Sequence, residues 1–190
     1  MKTVYIPKGE TVHYESLATE HLVVRGHLHV DYGIKAKTIT GGGTINAGTV
    51  DADVIRVDDV DAGSIICKRE NVNIIFDNAV SMKWIEVSGA LTLTANGDYA
   101  KVYESDDTAI RAESVTLAAA AGNYKIVSEK NTAIQAKSLY LNSDDARIEG
   151  SPAVPDGTEI TCGEKARLQT NRNSDGTISA LYTYPKSVTL

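Results

Sequence analysis

A short motif that returns about every 24 residues constrains this chain more than any other feature. The segment Ile110-Arg-Ala-Glu-Ser-Val-Thr-Leu117 recurs as Ile134-Gln-Ala-Lys-Ser-Leu-Tyr-Leu141. Looser copies start at Val12, Ile34, Val60, Glu86 and Ile160, so that the copies follow one another at similar intervals along the chain. A fixed period of this size indicates stacked units, each of which buries an apolar face against its neighbours.

Apolar and polar residues alternate within each copy, as in a β-strand, but the alternation slips once in the middle. The slip predicts a corner between two short strands, and the third position is small in most copies (Ala36, Ala112, Ala136), as a tight corner requires. The sixth position is aliphatic and predicts a stack along the core. We therefore predict an all-β fold, a single-stranded right-handed parallel β-helix of about seven coils, with a β-sandwich as the alternative.

The two ends of the chain depart from the repeat. Residues 1–11 contain Pro7 and Gly9 and predict an N-terminal cap. At the other end, two alternating runs flank an Asp-Gly pair at Asp175, which predicts a β-hairpin. We expect one domain over residues 1–190, with coils over 12–165 and a C-terminal hairpin cap over 166–190.

Composition narrows the class of protein. With 190 residues, of which 42% are hydrophobic, the chain can bury a sizeable core. A net charge of −6 without a basic stripe disfavours nucleic acid as a partner. Neither a signal peptide nor an apolar run long enough to span a membrane is visible, so the expected location is cytoplasmic, or secreted if a leader has been removed.

All four histidines lie near the start of the chain, at His13, His21, His27 and His29. The pair His27 and His29 shares one face of a predicted strand, an arrangement that metal sites use. A third ligand is missing from this local pattern, since Asp31 is too close in sequence to His29 to join the pair. The expectation is therefore an exposed strand face and no metal site.

Acidic residues cluster at Asp51, Asp53, Asp58, Asp59 and Asp61. Carboxylates on neighbouring turns of a β-helix can share a calcium ion. Solvated turns explain the same pattern without a ligand. The prediction is that no cofactor is bound, and calcium is the alternative.

Catalysis would require converging acids, bases or nucleophiles on one face. The outward positions Arg111, Glu113, Gln135 and Lys137 would be neighbours on adjacent coils, where ion pairing explains them. Neither a Ser/His/Asp nor a Cys/His set is present in the repeat. We therefore predict that the protein is not an enzyme.

Tyrosines supply the candidate surface for binding sugars, which stack on exposed aromatic rings. The candidates are Tyr99, Tyr103, Tyr124 and Tyr140. Gly97-Asp-Tyr99 and Gly122-Asn-Tyr124 recur about one period apart, which predicts two tyrosines stacked on adjacent coils. The pattern leaves open whether these rings face outward or fill the coil.

Two family resemblances follow from these repeats. The copies beginning at Ile34, Ile110 and Ile134 resemble repeats of bacterial carbohydrate-binding β-helix proteins of the pectate-lyase-like superfamily. The stretch from Leu22 to Cys67, with Val50-Asp-Ala-Asp-Val-Ile among its repeats, is similar to bactofilins, which are polymer-forming bacterial proteins with shorter coils. The resemblances imply a β-helix that either binds glycans or assembles with other protein chains.

The expected function is that of a non-catalytic scaffold that associates with itself or with protein partners. Tyr14 and Leu17 form the expected contact for self-association, and replacing either by a charged residue is expected to weaken association without unfolding. The alternative is a carbohydrate-binding β-helix that uses the tyrosines, and a polysaccharide lyase or hydrolase comes third.

Overall fold

The computed structural model describes residues 2–67, 71–95, 101–103, 109–119, 124–128 and 131–186, without the side chains of 56–67, 76–84, 101–103 and 109. The described residues form strands and connecting turns, which confirms the predicted all-β class. None of them belongs to a helix long and apolar enough to cross a membrane.

The N-terminal half contains strands β1 (Thr3–Ile6), β2 (Thr11–Ala18), β3 (His21–Val24), β4 (His27–Lys35), β5 (Thr38–Thr40), β6 (Thr44–Asp51), β7 (Val54–Cys67) and β8 (Asn71–Val87). The coils continue with β9 (Ala90–Ala95), β10 (Lys101–Tyr103), β11 (Ala109–Arg111), β12 (Ser114–Ala119), β13 (Tyr124–Val127), β14 (Ile134–Gln135), β15 (Ser138–Asn142), β16 (Ala146–Glu149) and β17 (Glu159–Cys162). The chain closes with β18 (Ala166–Arg172) and β19 (Ile178–Pro185).

Parallel pairing between successive coils confirms the predicted β-helix. One face is a continuous ladder in the order β1-β3-β5-β7-β8-β9-β12-β15-β17. The remaining two faces share long strands in the first coils: β2, β4, β6 and the later parts of β7 and β8 pair in that order, and their register shifts at a bend in the middle. Past β8 this sheet divides, because β10 and β11 pair with separate parts of β8.

The register corrects the spacing of the repeat. One column of register partners runs through Leu17, Ile34, Val50, Ile65, Ile85, Ile110 and Ile134. From Leu17 to Ile65, successive members of this column are separated by fewer residues than the predicted repeat. The separation reaches the predicted repeat length only from Ile85 onwards. The predicted period therefore holds at the C-terminal coils and is wrong for the first ones. Val12 and Val60 lie in a different column, through Leu28 and Ile45.

The reason for the error is a second motif within each short coil. Strands on two faces of the first coils both read aliphatic-x-small, as in Ile45-x-Ala47 and Val50-x-Ala52. The predicted repeat motif therefore lies on one face of the helix in some coils and on the other face in others. The predicted corner is confirmed at the intact copies, where buried Ala112 and Ala136 separate one strand from the next.

The core consists of aliphatic columns that run along the helix axis. Leu22, Ile39, Ile55, Ile74 and Leu93 are each fully buried and follow one another in register from β3 to β9. At roughly 25 cal/mol per Å² of apolar surface removed from water, such columns are the main stabilising term of the fold.

The two ends of the helix differ. At the N-terminal end, β1 is the first strand of the parallel ladder, and it pairs only with β3 among the described residues. At the C-terminal end, β18 and β19 form the predicted antiparallel hairpin. Within that hairpin, β19 lies between β16 and β18 and pairs antiparallel with both.

Candidate functional site

The core is incompletely covered at the N-terminal end of the helix. Val4, Val12 and Tyr14 occupy inward positions on the first coil, and each is only partly buried. Their register partners one coil further in, Leu22, Leu28 and Val30, are at most 2% exposed. The first coil therefore presents apolar side chains and strand edges that pair with no other described strand, and we call this surface the open end (β1, β2, Val4, Val12 and Tyr14).

The two residues expected to mediate self-association are placed differently. Tyr14 lies on the open end and is half-buried. Leu17 is only 7% exposed and stacks on Ile34 in the core. The expectation that a charge at Leu17 would leave the fold intact is therefore wrong, because the charge would have to be buried in the aliphatic column.

Tyr124 lies inside the core and is unavailable to a sugar. Its side chain is 1% exposed, and its hydroxyl lies 2.7 Å from the carbonyl oxygen of Leu93 and also contacts the carbonyl oxygen of Ala118. The backbone N–H of Ala95 donates to the same hydroxyl at 3.1 Å. Burial raises the pKa of the Tyr124 hydroxyl well above its ordinary range.

Tyr140 is the one predicted tyrosine that the described side chains place on the surface. Its ring is 40% exposed on β15, and it borders an open cavity of about 510 Å³. The cavity is also lined by the polar side chains of Asn142, Asp144, Glu164 and Lys165. An aromatic ring beside carboxylate, amide and ammonium groups is an arrangement that can bind a sugar by stacking and hydrogen bonding.

Several predicted residues lie outside the described part. Tyr99 is not described, and Tyr103 is described only in its backbone, on β10. Of the acidic cluster proposed for calcium, Asp51 and Asp53 are described and half-buried, while the side chains of Asp58, Asp59 and Asp61 are not. Exposed tyrosines also occur where the repeat did not predict them, at Tyr5, Tyr32 and Tyr184.

The polar residues on the outward positions pair between coils, as expected. Arg111 Nε donates to Gln135 Oε1 at 3.0 Å, and Lys137 Nζ donates to Glu113 Oε1 at 2.9 Å. The hydrogen bond of the second pair, and after it the attraction between the two charges, lowers the pKa of the Glu113 carboxyl and raises that of the Lys137 ammonium. Both groups are exposed, so the pair contributes little to stability.

The histidines group differently from the local sequence pattern. His13 and His29 are register partners on β2 and β4, and their ring centroids are 5.0 Å apart. Asp31 Oδ1 lies 2.8 Å from His13 Nε2 and 3.2 Å from His29 Nε2. The hydrogen bond with His13 contributes most to lowering the pKa of the Asp31 carboxyl, desolvation opposes this effect, and His29 lowers the pKa further. His27 instead contacts Thr44, so the expected His27–His29 pair is not the one that forms a cluster.

The parallel ladders that connect successive coils define this chain as a parallel β-helix protein. Its candidate binding surfaces are the open end and the cavity beside Tyr140. No family model, no curated protein and no solved structure matches it.

Proposed function

We propose that this protein is a non-catalytic scaffold whose β-helix associates with a second copy of itself through the open end. The observation that carries the proposal is the difference in burial between the first coil and the second at three inward positions, whereas Ile6 and Leu17 of the first coil are buried. Val4, Val12 and Tyr14 are partly exposed, although the residues at the same positions one coil further in are buried.

The backbone at the open end can add hydrogen bonds of defined direction to the proposed contact between two copies. In the described part of the chain, β1 and β2 each pair on one side only, so their outer edges carry backbone N–H and C=O groups that a further strand can bind. A copy related by a two-fold axis would set the same strands against each other in antiparallel orientation, which is an ordinary β-ladder. The contact would also bury the apolar side chains of both copies.

The likeness of residues 22–67 to bactofilins supports assembly between protein chains as the role of such a helix. The first coils advance by fewer residues per turn than the C-terminal motif does, and short coils are the feature that bactofilins share. A scaffold also requires rigidity, and the continuous aliphatic columns of the core provide it.

The test is solution mass by light scattering over a concentration series. We expect the mass to rise from one chain towards two, and the substitution Tyr14→Glu to shift the midpoint at least tenfold to higher concentration, because it would place a charge in the contact. The matched control is Tyr184→Glu, which changes a 47% exposed tyrosine on β19, away from the open end.

Circular dichroism of both variants would establish that the coils are still folded. A wild-type protein that stays a single chain throughout the series would refute the proposal. Equal weakening by the two substitutions would refute the location of the contact.

A second candidate function, glycan binding, is favoured by the cavity beside Tyr140. The likeness to carbohydrate-binding β-helix repeats points in the same direction. The site would take a neutral or amino sugar, with its ring on Tyr140 and its hydroxyl groups on Asn142, Asp144 and Glu164.

Glycan-array binding followed by titration of the best ligand tests this second candidate. We expect Tyr140→Ala to weaken binding at least tenfold and Tyr184→Ala to leave it unchanged, since only Tyr140 borders the cavity. Binding that survives Tyr140→Ala would show that the cavity is not the site.

A further inference from the structure

We propose that His13, His29 and Asp31 form a binding site for a divalent transition-metal ion, of which Zn²⁺ is the test case. In the described part of the chain, these three residues place one ligand atom each within 4.8 Å of one another. The inference is independent of the proposed scaffold function.

The ligand set has the chemistry of a transition-metal site. Two imidazole nitrogens and one carboxylate oxygen suit Zn²⁺, Ni²⁺, Cu²⁺ and Fe²⁺, whereas calcium and magnesium prefer oxygen ligands alone. Three protein ligands would leave further coordination positions for water or another molecule. All three side chains are exposed, so an ion can reach them from solvent.

The distances are close to those that a bound ion requires. A zinc ion holds nitrogen and oxygen ligands at about 2.0–2.2 Å, so two of its ligands in tetrahedral geometry are about 3.3–3.6 Å apart. The carboxylate oxygen of Asp31 is 2.8 Å from one imidazole nitrogen and 3.2 Å from the other. Small side-chain rotations would place the ion between them, and the proton of each Nε2 would move to Nδ1 or be released.

The fold sets this arrangement through two features of the backbone. His13 and His29 are register partners on adjacent parallel strands, which lie about 4.8 Å apart. The register then shifts between Val30 and Gly33, so that residues 31 and 32 of β4 together lie opposite Gly48 of β6. A Cβ atom at Gly48 would lie 2.5 Å from the carbonyl oxygen of Tyr32 and 2.9 Å from that of Asp31, so a side chain there would displace the bulge.

The other two histidines provide an internal contrast. His21 Nδ1 lies 2.8 Å from Thr38 Oγ1, and His27 Nδ1 contacts Thr44 Oγ1. Each of these rings therefore faces a threonine hydroxyl of the next coil, and among described residues neither belongs to a group of three metal-ligating side chains. His21→Gln is accordingly the matched control for His13→Gln.

The experiment is a titration of the tag-free protein with Zn²⁺ against a chromogenic indicator, repeated with Co²⁺ to record its visible absorption. We expect one ion per chain and at least tenfold weaker binding in His13→Gln and in Asp31→Asn, with His21→Gln unchanged. Zinc should also raise the thermal unfolding midpoint of the wild type and of His21→Gln, but not of His13→Gln, because the ion binds only the folded coils.

A wild-type protein that binds neither ion would overturn the proposal, as would binding that is equally strong in His13→Gln. Unfolding midpoints measured with chelator would reveal whether either variant is damaged. If His13→Gln were too unstable to assay, Asp31→Asn, which removes a ligand from the exposed bulge instead of the terminal strand, would decide the question.

Discussion

The hydroxyl of Tyr124 lies 2.7 Å from the carbonyl oxygen of Leu93, on the preceding coil. The same hydroxyl oxygen accepts a hydrogen bond from the N–H of Ala95, so one side chain from β13 is hydrogen-bonded to the backbone near the end of β9. Because this contact is buried, water cannot replace it.

Tyr124→Phe is therefore expected to destabilise the protein by about 1–3 kcal/mol, since it removes a buried hydroxyl that is hydrogen-bonded to the backbone of β9. Chemical denaturation monitored by circular dichroism measures the change. Tyr140→Phe is the control, and we expect it to change stability by less than about 0.5 kcal/mol because that hydroxyl is on the surface. Equal effects of the two substitutions would contradict the role given to Tyr124.

Gly48→Ala should destabilise the second and third coils. The added Cβ would meet the backbone carbonyl oxygens of Tyr32 and Asp31, which cannot move without distorting the bulge. We expect a loss of about 1–3 kcal/mol in denaturation experiments, typical of overpacking. The control is Gly163→Ala, whose new Cβ would meet the amide oxygen of the Asn142 side chain at 2.7 Å, and that side chain can rotate away. A larger loss at Gly163 than at Gly48 would disprove the argument.

Leu17→Ala should destabilise the fold of the single chain, whatever its state of association. Leu17 is buried against Ile34, and the truncation would leave a cavity in the first coils. The expected loss is about 2–5 kcal/mol. Denaturation at concentrations where light scattering finds one chain measures it, with the exposed Thr11→Ala as the control. Unchanged stability would mean that the first coil is not packed as described.

Glu149 should make stability depend on pH in the acidic range. Arg147 Nε and Nη2 donate to its two carboxylate oxygens at 2.8 and 2.9 Å, and the Tyr182 hydroxyl also donates to it. The hydrogen bond from Arg147 contributes most to lowering the pKa of the carboxyl below its ordinary value of 4.5, and that from Tyr182 lowers it further.

Because the folded pKa lies below the unfolded one, this stabilisation is fully present above pH 4.5 and is lost as the pH falls through the folded pKa. We expect the free energy of unfolding of the wild type to be about 1 kcal/mol larger than that of Glu149→Gln at neutral pH. The difference should vanish in acid. Tyr182→Phe should move the loss of stability to higher pH, because it removes a hydrogen bond that lowers the pKa of Glu149. Denaturation curves from neutral to acidic pH test both expectations, and parallel curves for wild type and Glu149→Gln would rule them out.

The fold could be predicted because strand alternation and a recurring corner are local properties of the sequence. Ile110 and Ile134 are in fact register partners, and the alanines that follow them turn the chain as expected. The Asp-Gly pair near residue 175 likewise predicted the hairpin between β18 and β19. Each of these features depends on residues close together in the chain.

The candidate sites depend on register, which the repeat indicated correctly only for the longer coils. His13 and His29 are closer in sequence than one period of the repeat, so the period does not bring them together. Ile34 and Val50 are separated by the same number of residues as the two histidines. This separation is close to the actual length of the first coils. The position of Tyr124 is ambiguous in the sequence for another reason: an aromatic residue two positions after a glycine fits a turn on the surface and an inward position equally well.

The position of β19 between β16 and β18 has a consequence for the largest assembly that this chain can build. A head-to-tail fibre would require the last coil to receive β1 and β2 in parallel on every face, but β19 and β18 run in opposite directions on one of them. In the association proposed above, two copies that meet through their open ends leave neither open end available to a third copy. Growth would terminate at the pair, so the chain would serve as a coupler of fixed stoichiometry instead of the subunit of a filament.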